Sequence, residues 1–119
     1  MKTKTSWNQL ADLLEEEIAL YDDLEALLEA EAEALIQSDL PVFKELLDDK
    51  RVMVARLQQT EADRKQWVRA QMSQGPNENP PRLKRLIASA PQAVSARLER
   101  SRRCLVSRIR SIDDRNQLN

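Results

Sequence analysis

Apolar residues recur along this chain at threes, fours and sevens, and no stretch alternates apolar and polar over the length of a strand. Trp7, Leu14, Tyr21, Leu28 and Leu35 are spaced by seven without exception. Leu13, Leu20 and Leu27 form a second column beside them, and Leu10, Ile18 and Leu24 fill the other side. A stripe this wide predicts a helix over about 6–38 that touches two neighbours. Ser6 to Gln9 has the form of a capping box at its start. Asp39 is suited to cap a second helix, because its carboxylate can accept hydrogen bonds from the free amides of the next turn. Pro41 falls in that first turn, where a missing N–H costs nothing. The second helix is expected over about 40–73, with a stripe of Leu40, Phe43, Leu46, Leu47, Met53, Val54, Leu57, Trp67, Val68 and Met72. Leu28 to Leu57 therefore reads as a hairpin with its corner at Ser38–Asp39 and an apolar stripe on each arm facing the other.

Residues 74–81 hold the only Gly and three of the five Pro, and are expected to be a loop. A short helix over about 82–89 follows. Pro91 pushes Ala90 away from helical geometry, and Ser89 to Gln92 has the form of a fresh capping box, so a break is expected there. The last helix, about 92–119, carries Val94, Leu98, Leu105, Ile109 and Ile112. No stop signal closes it at Asn119, and its pattern is expected to run on. The fold class is thus all-α: one domain over 1–119, a long antiparallel hairpin plus a third helix in a coiled-coil-like three-helix bundle. Four charged residues interrupt the stripes: Glu31 on the first helix, and Lys50, Glu61 and Arg64 on the second. Long side chains at such positions either snorkel to water or pair inside. Lys50 bonded across the hairpin to Glu31 or Glu29 would fix the register.

Composition agrees with long amphipathic helices. Charged residues make up 33% and aromatic ones 3%, with a single Gly, a poor supply for hairpin turns and strands. The net charge of −1 hides a strong asymmetry. Residues 6–39 hold 11 acids and no base, whereas residues 82–119 hold 10 bases and 3 acids. Oppositely charged first and third helices are expected to lie side by side. The competing reading, a nucleic-acid-associated or scaffolding coiled-coil protein, would use Arg97, Arg100, Arg102, Arg103, Arg108 and Arg110. These arginines occupy several faces and have few aromatics for stacking. With no His and one Cys, the common zinc sites and the Ser–His and Cys–His nucleophile pairs are excluded, and neither enzyme chemistry nor a cofactor is expected. Cys104 cannot form an internal disulfide. The N-terminus runs into acids rather than a secretory apolar run, and no window is long enough to span a membrane. A cytoplasmic protein without membrane insertion is expected.

The same stripes carry a family resemblance. Glu31 and Leu35 end an acidic first helix, and Asp39-Leu40 makes the corner. Lys50, Met53, Val54 and Leu57 follow, then Glu61 and Arg64, and near the end Ile109, Ile112 and Asn116. In this order they resemble the FlgN family of flagellar export chaperones, with one departure: Asp113 stands where the family has the first of two Asn. The resemblance implies a cytoplasmic chaperone that holds terminal segments of the flagellar hook-associated proteins and brings them to the type III export apparatus. Family members usually continue into a further amphipathic segment implicated in client binding. The client-docking face expected here is the end of the third helix, around Leu105, Ile109, Ile112, Asn116 and Leu118. That helix would also be the contact of a homodimer, and no nucleic acid is expected as a partner.

Overall fold

The structure is a computed structural model and describes residues 2–72, 87–88 and 90–118, with side chains for 7–70, 87–88 and 90–115. It is an all-α bundle of three long helices: α1 (Lys2–Ile36), α2 (Leu40–Met72) and α3 (Gln92–Leu118). At about 1.5 Å per residue, α1 would measure roughly 50 Å, which accounts for a long axis of 55 Å. Among the described residues no helix is long and apolar enough to cross a membrane.

α1 begins at Lys2 rather than at the expected cap, so Ser6 lies within the helix. Nothing between Lys2 and Thr5 breaks a helix, and the buried Trp7 anchors the turn that follows. At the other end α1 stops at Ile36, two residues short of expectation, because Ser38 adopts a positive φ of 58°. The Ser38 N–H bonds the Leu35 carbonyl at 3.1 Å and the Asp39 N–H reaches the Ala34 carbonyl at 2.8 Å. This is the paired closure that usually places glycine in the left-handed position. Asp39 then starts α2: its Oδ1 accepts from the Val42 N–H at 3.3 Å, and its carbonyl accepts the first helical bond from Phe43 at 3.0 Å.

The expected loop at 74–81 lies outside the described residues, as does most of the expected short helix, of which residues 87 and 88 are helical. The chain bends at Ala90, and the Pro91 carbonyl accepts from Val94 and Ser95, both at 3.0 Å, to open α3.

α1 is the central element. α2 packs antiparallel to it and α3 parallel, as their side-chain pairings show: Lys50 meets Glu31 and Arg64 meets Glu17, while Arg97 meets Asp12 and Arg115 meets Glu29. Among the described residues, α2 and α3 nowhere approach within 8 Å between Cα atoms. They are joined only through side chains over α1.

The main core occupies the end away from the corner. Trp7, Leu10, Ala11 and Leu14 of α1 meet Trp67 and Val68 of α2 and Val94, Leu98 and Leu105 of α3, with Ile87 closing over them. The Trp7 and Trp67 rings stand 5.4 Å apart and tilted by 59°, a favourable aromatic arrangement. A smaller cluster of Leu20, Leu24, Leu57 and Ile112 continues toward the corner. Beyond it only Glu31 and Ala34 of α1 are still buried, and of the facing stripes expected around the corner Leu35 is 56% and Leu40 65% exposed, with Ile36 beside them at 78%. Two crossing arms alone cannot cover both stripes.

Candidate functional site

Where apolar side chains are buried, and where they are not, defines the candidate site. Of the residues expected to receive a client, Leu105 and Ile112 are 4% and 7% exposed and Ile109 packs half-buried against the main core. The structure thus spends them inside the subunit instead of presenting them. The side chains of Asn116 and Leu118 lie outside the described residues.

The reason is electrostatic as well as apolar. The acidic face of α1 draws the basic α3 along its whole length. Arg97 donates to both oxygens of Glu15 at 2.9 Å and to Asp12 at 3.0 Å, and Arg108 donates to Asp22. Arg115 donates to Glu29 at 2.6 Å and stands 3.5 Å from Glu25, whose Oε1 also accepts from the Ser111 hydroxyl at 3.1 Å. The Arg97 hydrogen bond holds the Glu15 carboxyl below its ordinary range. These contacts are exposed, so each contributes only a few tenths of a kcal/mol. Replacing Arg97, Arg108 and Arg115 together by Gln is expected to cost about 1–2 kcal/mol in urea unfolding at low salt. The loss should shrink at 1 M salt, where screening already removes the attraction.

This ladder also uses arginines that a nucleic acid would need. Arg102 and Arg103 both bond Glu99, which holds its carboxyl down at about 2, and among the six only Arg100 and Arg110 stand exposed without an acidic partner in the described residues.

Two polar pairs cross the hairpin interior. Lys50 Nζ donates to Glu31 Oε1 at 3.1 Å and lies 3.0 Å from Oε2, with Glu31 buried. The second pair joins Arg64 Nε to Glu17, which is 1% exposed. Burial raises the Glu17 carboxyl above its ordinary range, opposed by the hydrogen bond and charge of Arg64. Glu17 was not singled out from the sequence, where it merges with the acidic run Glu15–Glu17. The signal was there: Leu10, Leu14, Glu17, Tyr21, Leu24, Leu28 and Glu31 alternate by four and three, so Glu17 and Glu31 hold equivalent inner positions. Fourteen residues separate them, and fourteen separate Lys50 from Arg64, as an antiparallel register demands.

The surface at the corner is the apolar area left over. On α1 it comprises Leu35 and Ile36; on α2 it comprises Leu40, Val42 and Val54, with half-buried Phe43 and Leu47 beneath. Ile36 lies five helical turns beyond Ile18, which packs in the main core. Val54 lies two heptads before Val68, a core residue. The lines that carry core side chains away from the corner therefore carry exposed ones beside it. Elsewhere, two open grooves between α1 and α2 run over Leu13 and Trp67 in the lower half and over Leu27 and Met53 nearer the corner, both edged by carboxylates. Among the described residues no cluster of His, Cys, Asp or Glu is placed to hold a metal ion.

Comparison with curated proteins gives no match, and neither does comparison with solved structures. The family model described as FlgN protein, by contrast, matches residues 1–119, the whole chain. The chain therefore belongs to the FlgN family, the flagellar export chaperones.

Proposed function

We propose that this protein binds the terminal segments of the flagellar hook-associated proteins in the cytoplasm, keeps them from associating early, and delivers them to the type III export apparatus. Family membership supports the chaperone role, and the bare apolar end of the hairpin is the observation that carries the binding role. A segment that must later pack as a helix in an assembled structure is apolar and unfolded beforehand. It gains by laying its apolar side on a partner that already presents one. Burying that side contributes about 25 cal/mol per Å², less the cost of ordering the segment. The site expected at the end of α3 is retained through Asn116 and Leu118, since the last turn of α3 points its axis toward the corner.

Co-purification with the C-terminal segments of hook-associated proteins, followed by native mass spectrometry, tests the reading. A defined complex is expected, and its mass distinguishes a single chaperone copy from a pair joined through α3. Failure of every hook-associated segment to bind would overturn the assignment of clients.

A further inference from the structure

α1 carries two rows of acids, and only one of them meets α3. In that interface Asp22 and Glu29, seven residues apart, take Arg108 and Arg115, also seven apart, beside the buried Leu105 and Ile112. Glu16 and Asp23 form the second row. They too are seven apart and exposed, and among the described residues neither forms an ion pair. Leu27, which lines a groove together with Asp23, stands about 140° round α1 from Asp22. The groove therefore occupies the flank of α1 turned away from α3, and the course of α3 does not bear on it.

α2 supplies the other wall. In the stretch nearer the corner, Asp23 and Leu27 face Asp49, Val52 and Met53 of α2. Further along, Leu13 and Glu16 face Asp63 and Trp67. Leu13, Leu20 and Leu27 recur at seven along the α1 side of the floor, the spacing a packed helix reads. Five carboxylates and a single arginine, Arg56, line the two stretches. Of these carboxylates Asp12 is taken by Arg97, and Asp63 accepts from the neutral side chain of Gln59 at 2.9 Å. The groove thus repeats the surface with which α1 receives α3, an apolar floor beside acids at seven-residue spacing, and adds a second acidic edge from α2.

From this we infer that the groove between α1 and α2 seats a helix of the client's terminal segment, its apolar stripe on Leu27, Val52 and Met53 and basic residues on both its flanks, over Asp23 and Asp49. The inference rests on the client reading above and names the surface and the charge pattern that reading requires. Charge selects the occupant. A helix with acidic flanks would meet carboxylates on either side, whereas one with Lys or Arg on both flanks repeats on α1 and α2 the pairing that α3 makes with α1. Client segments that bind here are accordingly those whose apolar stripe is bordered by bases.

The test measures affinity for synthetic terminal peptides of hook-associated proteins, by fluorescence anisotropy, for the wild-type chain and three variants. Asp23→Lys combined with Asp49→Lys is expected to weaken binding about tenfold and to flatten its salt dependence. Leu27→Gln combined with Val52→Gln is expected to weaken it about tenfold or more, as loss of apolar anchors does. Ala96→Gln, on the exposed side of α3, is expected to leave affinity unchanged. Asp23 and Asp49 are exposed, so their reversal leaves the core intact, and circular dichroism with thermal unfolding verifies that every variant folds. A peptide whose Lys and Arg are replaced by Glu is expected to bind the wild-type chain at least tenfold more weakly. If the wild-type chain binds a peptide and both groove variants bind it equally well, the groove is refuted as the docking surface while the client reading stands. Equal binding of the charge-swapped peptide refutes selection by charge. If no hook-associated peptide binds the wild-type chain, the client reading fails and the occupant named here fails with it. Self-association that the Asp23 and Asp49 reversal abolishes, measured by analytical ultracentrifugation without peptide, would assign the groove to a second copy and overturn the client as its occupant.

Discussion

Trp67→Ala is expected to cost the folded state about 3–5 kcal/mol, whereas Leu40→Ala at the other end of the same helix should shift stability by less than about 0.5 kcal/mol. Both are large apolar residues in one continuous helix. They differ in surroundings. Trp67 is buried against Trp7 and the main core, where deleting the ring removes its transfer energy and leaves a void that packed helices close only in part. Leu40 stands in water with no cavity to leave. Urea unfolding followed by far-ultraviolet circular dichroism checks both, and equal losses would place the core elsewhere. Because the two Trp are adjacent, tryptophan fluorescence reports this end of the bundle specifically, and its transition should coincide with that of the backbone signal in a two-state protein.

The second large effect concerns the buried pair of Glu17 and Arg64. Arg64→Leu leaves a carboxyl that is 1% exposed without its counter-charge, and is expected to cost about 3–5 kcal/mol at neutral pH. Glu17→Leu should cost less, since Arg64 is the more exposed partner and its long side chain can carry the guanidinium out to water. Replacing both by Leu should restore stability to that of the parent or above it, because neither desolvation cost then remains. A double-mutant cycle measures the coupling directly.

The pH dependence has a definite sign. The Glu17 carboxyl is raised above its ordinary value of 4.5 in the folded protein, with burial as the leading cause. Between 4.5 and the raised value, the folded state holds more protons than the unfolded one. Its contribution is fully present below 4.5 and is lost as pH rises through the folded value. Removing Arg64 takes away the two largest effects that oppose this shift, leaving only the charge of Lys65 against it, so the Arg64→Leu variant should lose stability more steeply than the parent as pH rises from 4.5. Glu15 and Glu99, held low by arginines, act in the other direction, favouring the folded state above the ordinary carboxylate range and losing that effect as pH falls.

The two interior pairs have a further consequence for how the hairpin closes. Apolar stripes that repeat every seven residues tolerate a slip of seven with little loss, since leucine meets leucine in either alignment. A slip would set Glu17 against Leu57 and strand Arg64 beside Leu10. Charged residues on both arms at matched fourteen-residue spacing thus penalise the wrong alignment more than they stabilise the right one. Their value lies in specificity.

Much of the architecture was legible in the chain itself. Helices follow from a 3.6-residue apolar period, and the corner follows from Asp39 and Pro41, whose local chemistry does not depend on distant residues. The opposite charges of the first and last helices foretold their adjacency. Burial was less legible. A stripe states that a face is apolar and leaves open whether anything covers it. Leu105 and Leu40 look alike in sequence, yet one is sealed and the other bare. Which of them is covered depends on how far α3 travels along α1, and that is set by the register of Arg97, Arg108 and Arg115 on the acids of α1, a long-range alignment. Local pattern therefore determined the elements, their turn and their pairing by charge. Only the packed structure decided which of these residues is covered, because coverage is a property of three helices together and of none of them alone.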